Sequence, residues 1–153
     1  DVPFFIHGGC ALIQGRGEIL TPLPPMNDWW AVILKESLAI NNKTMKLYGS
    51  LTSKDFTDGY KTQMLAEGLR KGKPSSNLIL GGVNTFERVI NHTYPDINRY
   101  RRELITAGAP FVRLSGSGPT LYTLVESHRE GVKILEHLTT TKQSAFVARL
   151  LKP

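Results

Sequence analysis

The chain has 153 residues, enough for one domain with a sizeable core, and its hydrophobic content of 41% is that of a globular protein. Its formal charge of +6 favours anionic partners, but only Arg99, Arg101 and Arg102 cluster, which argues against a nucleic-acid reader with its basic stripe. No apolar run can cross a bilayer, and the single Cys10 excludes an internal disulfide and a cysteine-rich zinc site and fits a reducing, cytoplasmic compartment.

Asp1 opens directly into apolar Val2-Pro3-Phe4-Phe5-Ile6, as expected of a part of a longer protein. Gly8-Gly9 breaks that stretch and Cys10 to Gln14 resumes with strand character. Gly15-Arg16-Gly17 supplies a reversal, and Glu18 to Leu23 returns as an antiparallel partner. Pro22, Pro24 and Pro25 followed by Asn27-Asp28 mark a boundary, because closely spaced prolines continue neither a ladder nor a helix. Residues 1–27 are therefore read as a terminal hairpin of a preceding domain, and residues 28–153 as a second domain. A hairpin of this size is not stable alone, so self-association of the free chain, as a homodimer, is expected.

Trp29 to Leu34 reads as a central strand. Asn41 or Asn42 can cap a helix through Leu51, with Met45, Tyr48 and Leu51 on one face. A second helix starts after Asp58-Gly59, carries Tyr60, Met64 and Leu65 to Leu69, and ends near Gly72. After Gly81-Gly82, Phe86, Val89 and Ile90 favour a helix. Ile97 to Ile105 forms another, with Ile97, Tyr100 or Arg101, and Leu104 sharing a face and Gly108 ending it. Phe111 to Leu114 and Leu121 to Val125 are strands, Val132, Leu135 and Leu138 mark a helix, and Ser144 to Leu150 closes as a strand. The order predicts an α+β ferredoxin-like sandwich whose first strand is Trp30 to Leu34. A strand order separating Phe111–Leu114 from Leu121–Val125 would break it.

Between those two strands runs Ser115-Gly116-Ser117-Gly118-Pro119-Thr120. Spacing alone makes it either a plain hairpin turn or a loop whose bare N–H groups approach an anion. The three arginines on the Ile97 helix are likewise a solvated face or an anion contact. Four scattered histidines show no paired ligand spacing, so no metal site is expected from side chains.

Two stretches together carry a resemblance. Asp1-Val2-Pro3-Phe4-Phe5 with Gly15-Arg16-Gly17-Glu18, and Leu114 to Tyr122 around the glycines, resemble the GHMP small-molecule kinases, in the branch serving the non-mevalonate isoprenoid route. The resemblance spans the chain and matches the end of that family's first domain plus its second, its C-terminal domain. It implies transfer of the ATP γ-phosphoryl to a hydroxyl of a cytidylated methylerythritol, with Asp1 as the catalytic carboxylate. It further implies that Gly116, Ser117, Gly118 and Pro119 line the cleft beside the transferred phosphate and that Thr44 touches the methylerythritol. A hydroxyl in the first turn of a helix is an equal reading of Thr44. Asn84-Thr85-Phe86-Glu87 matches a family stretch with an acidic second residue; Thr85 departs from it, and no catalytic role is attached there. The ATP cradle, the catalytic lysine and most contacts to magnesium belong, by the same resemblance, to a missing N-terminal domain. The chain alone is thus expected neither to hold ATP tightly nor to turn over. The rival expectation is a stand-alone ferredoxin-like binding or assembly module.

Overall fold

A computed structural model of the chain describes residues 2–26, 28–35, 42–72, 79, 81–140 and 144–151. In chain order the elements are α1 (Val2–His7), β1 (Cys10–Gln14), β2 (Ile19–Leu23), β3 (Trp30–Lys35), α2 (Lys43–Ser50) and α3 (Tyr60–Arg70). A 3-10 turn (Thr85–Arg88), α4 (Ile90–Thr93), α5 (Ile97–Thr106), β4 (Arg113–Leu114), β5 (Leu121–Val125), α6 (His128–Thr140) and β6 (Ser144–Arg149) follow. They gather into two compact units: Asp1–Asp28, Gly59–Val83 and Arg149–Pro153 form one, and Trp29–Asp58 with Asn84–Ala148 the other. No helix of the described residues is long and apolar enough to cross a membrane.

The first unit is built on the hairpin. β1 and β2 pair antiparallel, Cys10 opposite Leu23 through Gln14 opposite Ile19, and Gly15 and Gly17 in the connection both have positive φ. Pro22 is accommodated because a two-stranded ladder leaves one side of each strand unpaired. Leu23 packs with Ala66 and Leu69 of α3, flanked by Cys10, Leu12, Met26 and Leu65. Gly59 stands at the α3 N-cap, as the Asp58-Gly59 signal predicts, but the buried face runs through Ala66 and Leu69 while Tyr60 and Met64 are exposed.

The apolar stretch before Gly8 is a helix and not an extended lead into β1. Gly8, at φ 72, donates its N–H to Phe4 O at 2.7 Å, which is a left-handed helix stop that glycine adopts without a Cβ clash. The glycine pair is therefore a helix terminator as much as a strand break. No residue of α1 is buried, and Val2, Phe5 and Ile6 are 70%, 80% and 82% exposed.

The second unit is a four-stranded sheet in the order β4-β5-β3-β6, so its first strand lies between the third and fourth and next to the third, as in a ferredoxin-like sandwich. β3 and β5 pair antiparallel from Trp30 opposite Val125 to Leu34 opposite Leu121, and β4 pairs antiparallel with β5, so the two strands flanking the glycines are neighbours as expected. Leu121, Thr123 and Val125 alternate inward from β5. They meet a core containing Val32, Leu34, Leu47, Ile90, Ile97, Leu104, Ile134 and Leu138. Burying each such side chain contributes on the order of 1.5–3 kcal/mol.

The Ile97–Tyr100–Leu104 face of α5 is buried as the spacing predicts. Gly108 N–H bonds Ile105 O and Ala109 N–H bonds Leu104 O, both at 3.0 Å, a Schellman ending before Pro110. Two faces differ from expectation. On α2 the inward residue is Leu47, while Met45 and Tyr48 are exposed, Tyr48 meeting the Phe86 ring edge-on at 5.0 Å. Asn42 does precede that helix, with left-handed backbone and no side-chain cap bond. On α6 the buried pair is Ile134 and Leu138, with Val132 and Leu135 only half-buried. A single apolar residue among polar ones can be the inward one when the sheet fixes the helix rotation.

Candidate functional site at the glycine turn

β4 ends at Leu114, opposite Leu121, and the chain reverses through Ser115 to Thr120. Ser115 N–H donates to Thr120 O at 2.9 Å and Gly118 N–H to Ser115 O at 2.8 Å. Gly116 (φ 52) and Gly118 (φ 65) both lie in the left-handed region, and the Gly118–Pro119 peptide is cis. Gly118 is buried: a Cβ there would stand 2.5 Å from Leu114 Cδ1 and 3.4 Å from Ile90 Cδ1. Glycine is required at this position on both counts, backbone and space. Among the described residues the N–H groups of Gly116 and Ser117 have no acceptor. Two adjacent donors on an exposed bend can receive an anion.

The turn is held from behind by a stretch to which the sequence reading attached no role. Asn84 Nδ2 donates to Leu114 O at 3.0 Å and to Gly116 O at 2.8 Å, while Asn84 Oδ1 accepts the Phe86 N–H at 3.0 Å. With one N–H and two carbonyls around it, the amide has only one satisfactory orientation. Glu87 Oε1 accepts the Leu114 N–H at 2.9 Å, and Glu87 Oε2 lies 3.4 Å from Arg113 Nη1. Arg101 Nη2 stands 3.8 Å from the same carboxylate. An asparagine directly before a short helical turn is a capping signal, and here the cap also reaches the glycine turn. Burial pushes the Tyr122 phenol up, Arg113 opposing and Glu87 adding to that effect.

Of the arginine group, Arg101 faces Glu87. Arg99 donates to Tyr100 OH at 2.8 Å and pairs with Glu103 at 3.6 Å. Both are engaged in internal pairs rather than forming a bare anion patch. Thr44 is exposed in the first turn of α2, and no hydrogen bond ties it to the glycine turn among the described residues. Asp1 lies outside the described residues. In the first unit, a cavity of about 730 Å³ is lined by Val2, Pro3, Arg16, Gly17 and Glu18, with Glu18 Oε2 accepting the Arg16 N–H at 2.5 Å.

A ferredoxin-like α+β unit carrying a braced glycine turn between its second and third strands defines the class. A family model described as "GHMP kinases C terminal" matches residues 65–143, and the chain belongs to that family. It is 39% identical to a 4-diphosphocytidyl-2-C-methyl-D-erythritol kinase from Dehalococcoides mccartyi (strain CBDB1), over all of this chain and 53% of that protein. With the enzyme of the same name from Alkaliphilus oremlandii the identity is 30%, over 97% of this chain and 50% of the relative. The crystal structure of a 4-(cytidine 5'-diphospho)-2C-methyl-D-erythritol kinase superposes with a TM-score of 0.78 at 25% identity, covering all of this chain and 54% of the other. A homoserine kinase from Cytophaga hutchinsonii, at TM-score 0.74 and 18% identity, shares the fold. The chain thus spans about half the length of the curated relatives it matches.

Proposed function

We infer that the chain is the C-terminal part of an ATP-dependent kinase that phosphorylates a hydroxyl of 4-diphosphocytidyl-2-C-methyl-D-erythritol in the cytoplasmic non-mevalonate isoprenoid route. The observation that carries this reading is the 39% identity to a kinase of that name over the whole chain, hairpin included. Residues 1–27 are then the last hairpin of the first domain and residues 28–153 the C-terminal domain, whose partner is the missing N-terminal domain.

In this reading Asp1 orients the substrate hydroxyl and accepts its proton as oxygen attacks phosphorus. Phosphoryl transfer rests on positioning and charge stabilisation, so the carboxylate is foremost an aligner. Gly116 and Ser117 offer their N–H groups to the transferring phosphoryl, Gly118 and Pro119 shape that bend, and Thr44 contacts the methylerythritol. ATP is held by the part of the enzyme outside this chain. The magnesium that accompanies ATP is, in this reading, bound mainly by that same part; among the described residues no group of three or more His, Cys, Asp or Glu is placed to hold a metal ion.

Assay of the complete protein against a panel of alcohol acceptors tests the reading, and no transfer to the cytidylated alcohol refutes it. There, Asp1→Asn lowers kcat by about two to four powers of ten with substrate affinity nearly unchanged; an unaltered kcat removes Asp1 from the mechanism. Calorimetry of this chain with ATP and magnesium is expected to show no micromolar binding.

A further inference from the structure

We propose that Asn84 and Glu87 are positioning residues for the glycine turn, setting the direction in which its free N–H groups are presented to the transferring phosphoryl. The proposal rests on the kinase reading above.

β4 is two residues long, so its ladder with β5 supplies little hold on the chain where it enters the turn. The missing hold comes from the 3-10 turn. Leu114 is gripped on both sides, its N–H by Glu87 and its carbonyl by Asn84. The second Asn84 bond goes to the Gly116 carbonyl, which shares a peptide plane with the Ser117 N–H. In a planar trans peptide the two point in opposite directions, so pinning the carbonyl toward Asn84 aims the Ser117 N–H away from it, outward. The Leu114 carbonyl likewise shares its plane with the Ser115 N–H that bonds Thr120 O. One amide thus fixes two alternate peptide planes of the turn. Arg101 and Arg113 pair with the Glu87 carboxylate and tie α5 to the same bracket.

Asn84→Asp in the complete kinase keeps the size of the side chain and the acceptor for Phe86 N–H, but turns an oxygen toward two carbonyls. The expected result is amide exchange at Ser115 and Gly118, the bonded N–H groups of the turn, faster by at least about tenfold. With it, kcat falls about 10- to 100-fold while KM for the alcohol stays within about threefold. Glu87→Gln retains an acceptor for Leu114 N–H, and its expected loss of kcat is below about tenfold. If Asn84→Asp does not fold, Asn84→Ala removes the donor without adding repulsion and is read in the same way. Unchanged exchange at the turn, unchanged kcat, or a loss expressed only in KM overturns the positioning role. A wild-type protein that phosphorylates no cytidylated alcohol overturns the kinase reading instead, and exchange at the turn still decides whether Asn84 braces it.

Discussion

The two units of this chain are held by unequal means. Among the described residues the sheet unit closes fifteen buried residues into one core, nine of them apolar side chains at most 2% exposed, from strands and helices alike. Among the described residues the hairpin unit clusters three, Leu23, Ala66 and Leu69, and leaves the apolar residues of α1 open. A sheet covered by α5 and α6 can shed water from one whole face, whereas a two-stranded ribbon with one helix cannot. Local opening is therefore expected to start in the hairpin unit, where few buried contacts resist it.

The largest effect that would sharpen this contrast comes from paired core truncations. Leu104→Ala, at a fully buried position, is expected to cost about 2–5 kcal/mol in urea unfolding. Leu69→Ala in the hairpin unit should cost roughly 1–2 kcal/mol, because a thin cluster collapses around the loss. Equal costs would mean that the hairpin unit is as tightly closed as the sheet unit. Gly118→Ala comes next, at about 1–3 kcal/mol by overpacking, since the added methyl meets Leu114 at a left-handed backbone position. A melting temperature within a degree of wild type would show that Leu114 yields easily and that the turn is less firmly set than its bonds imply.

The smallest effects are chemical, one in each unit. Burial pushes the Cys10 thiol up, so at pH 7.5 the folded chain carries little thiolate and alkylates with iodoacetamide more slowly than an unfolded control. Rates equal to the control would place opening of the hairpin unit on the alkylation timescale. Burial also raises the Tyr122 phenol in the sheet unit. A group raised on folding contributes stability that is fully present below its unfolded value, about 10, and is lost as pH rises through the folded one. Burial raises Tyr94 as well, so absorbance titration should show these two phenols ionising late, with stability falling from about pH 10 up to their folded values.

Much of the sheet unit was legible before any coordinates, because its signals are local and mutually consistent. Alternation marks Leu121 to Val125, Gly108-Ala109-Pro110 ends α5, and Ile97, Tyr100 and Leu104 share one helical face. What could not be read was rotation. Met45 and Tyr48 are apolar like Leu47, and only the packing of α2 against α4 and the core decides which of them turns inward. The Val2–His7 helix was missed for a different reason: two consecutive glycines read equally well as a break in a strand and as a left-handed helix stop. The site was half legible. The glycines between two strands announce a special turn, but the Asn84 and Glu87 braces lie 32 and 27 residues away from the atoms they hold. A bond that spans such a separation leaves no periodic trace in the sequence.

The bare apolar side of α1 bears on how the quaternary behaviour of this chain is to be read. Val2, Phe5 and Ile6 recur at the three- and four-residue interval that lines one flank of a helix, and water wets all three. Dimers or larger species seen by sedimentation of the isolated polypeptide are then the expected work of that greasy flank. A Phe5→Lys, Ile6→Lys double change that returns the preparation to a single sedimenting monomer would assign them to it, rather than to the sheet unit that carries the braced turn.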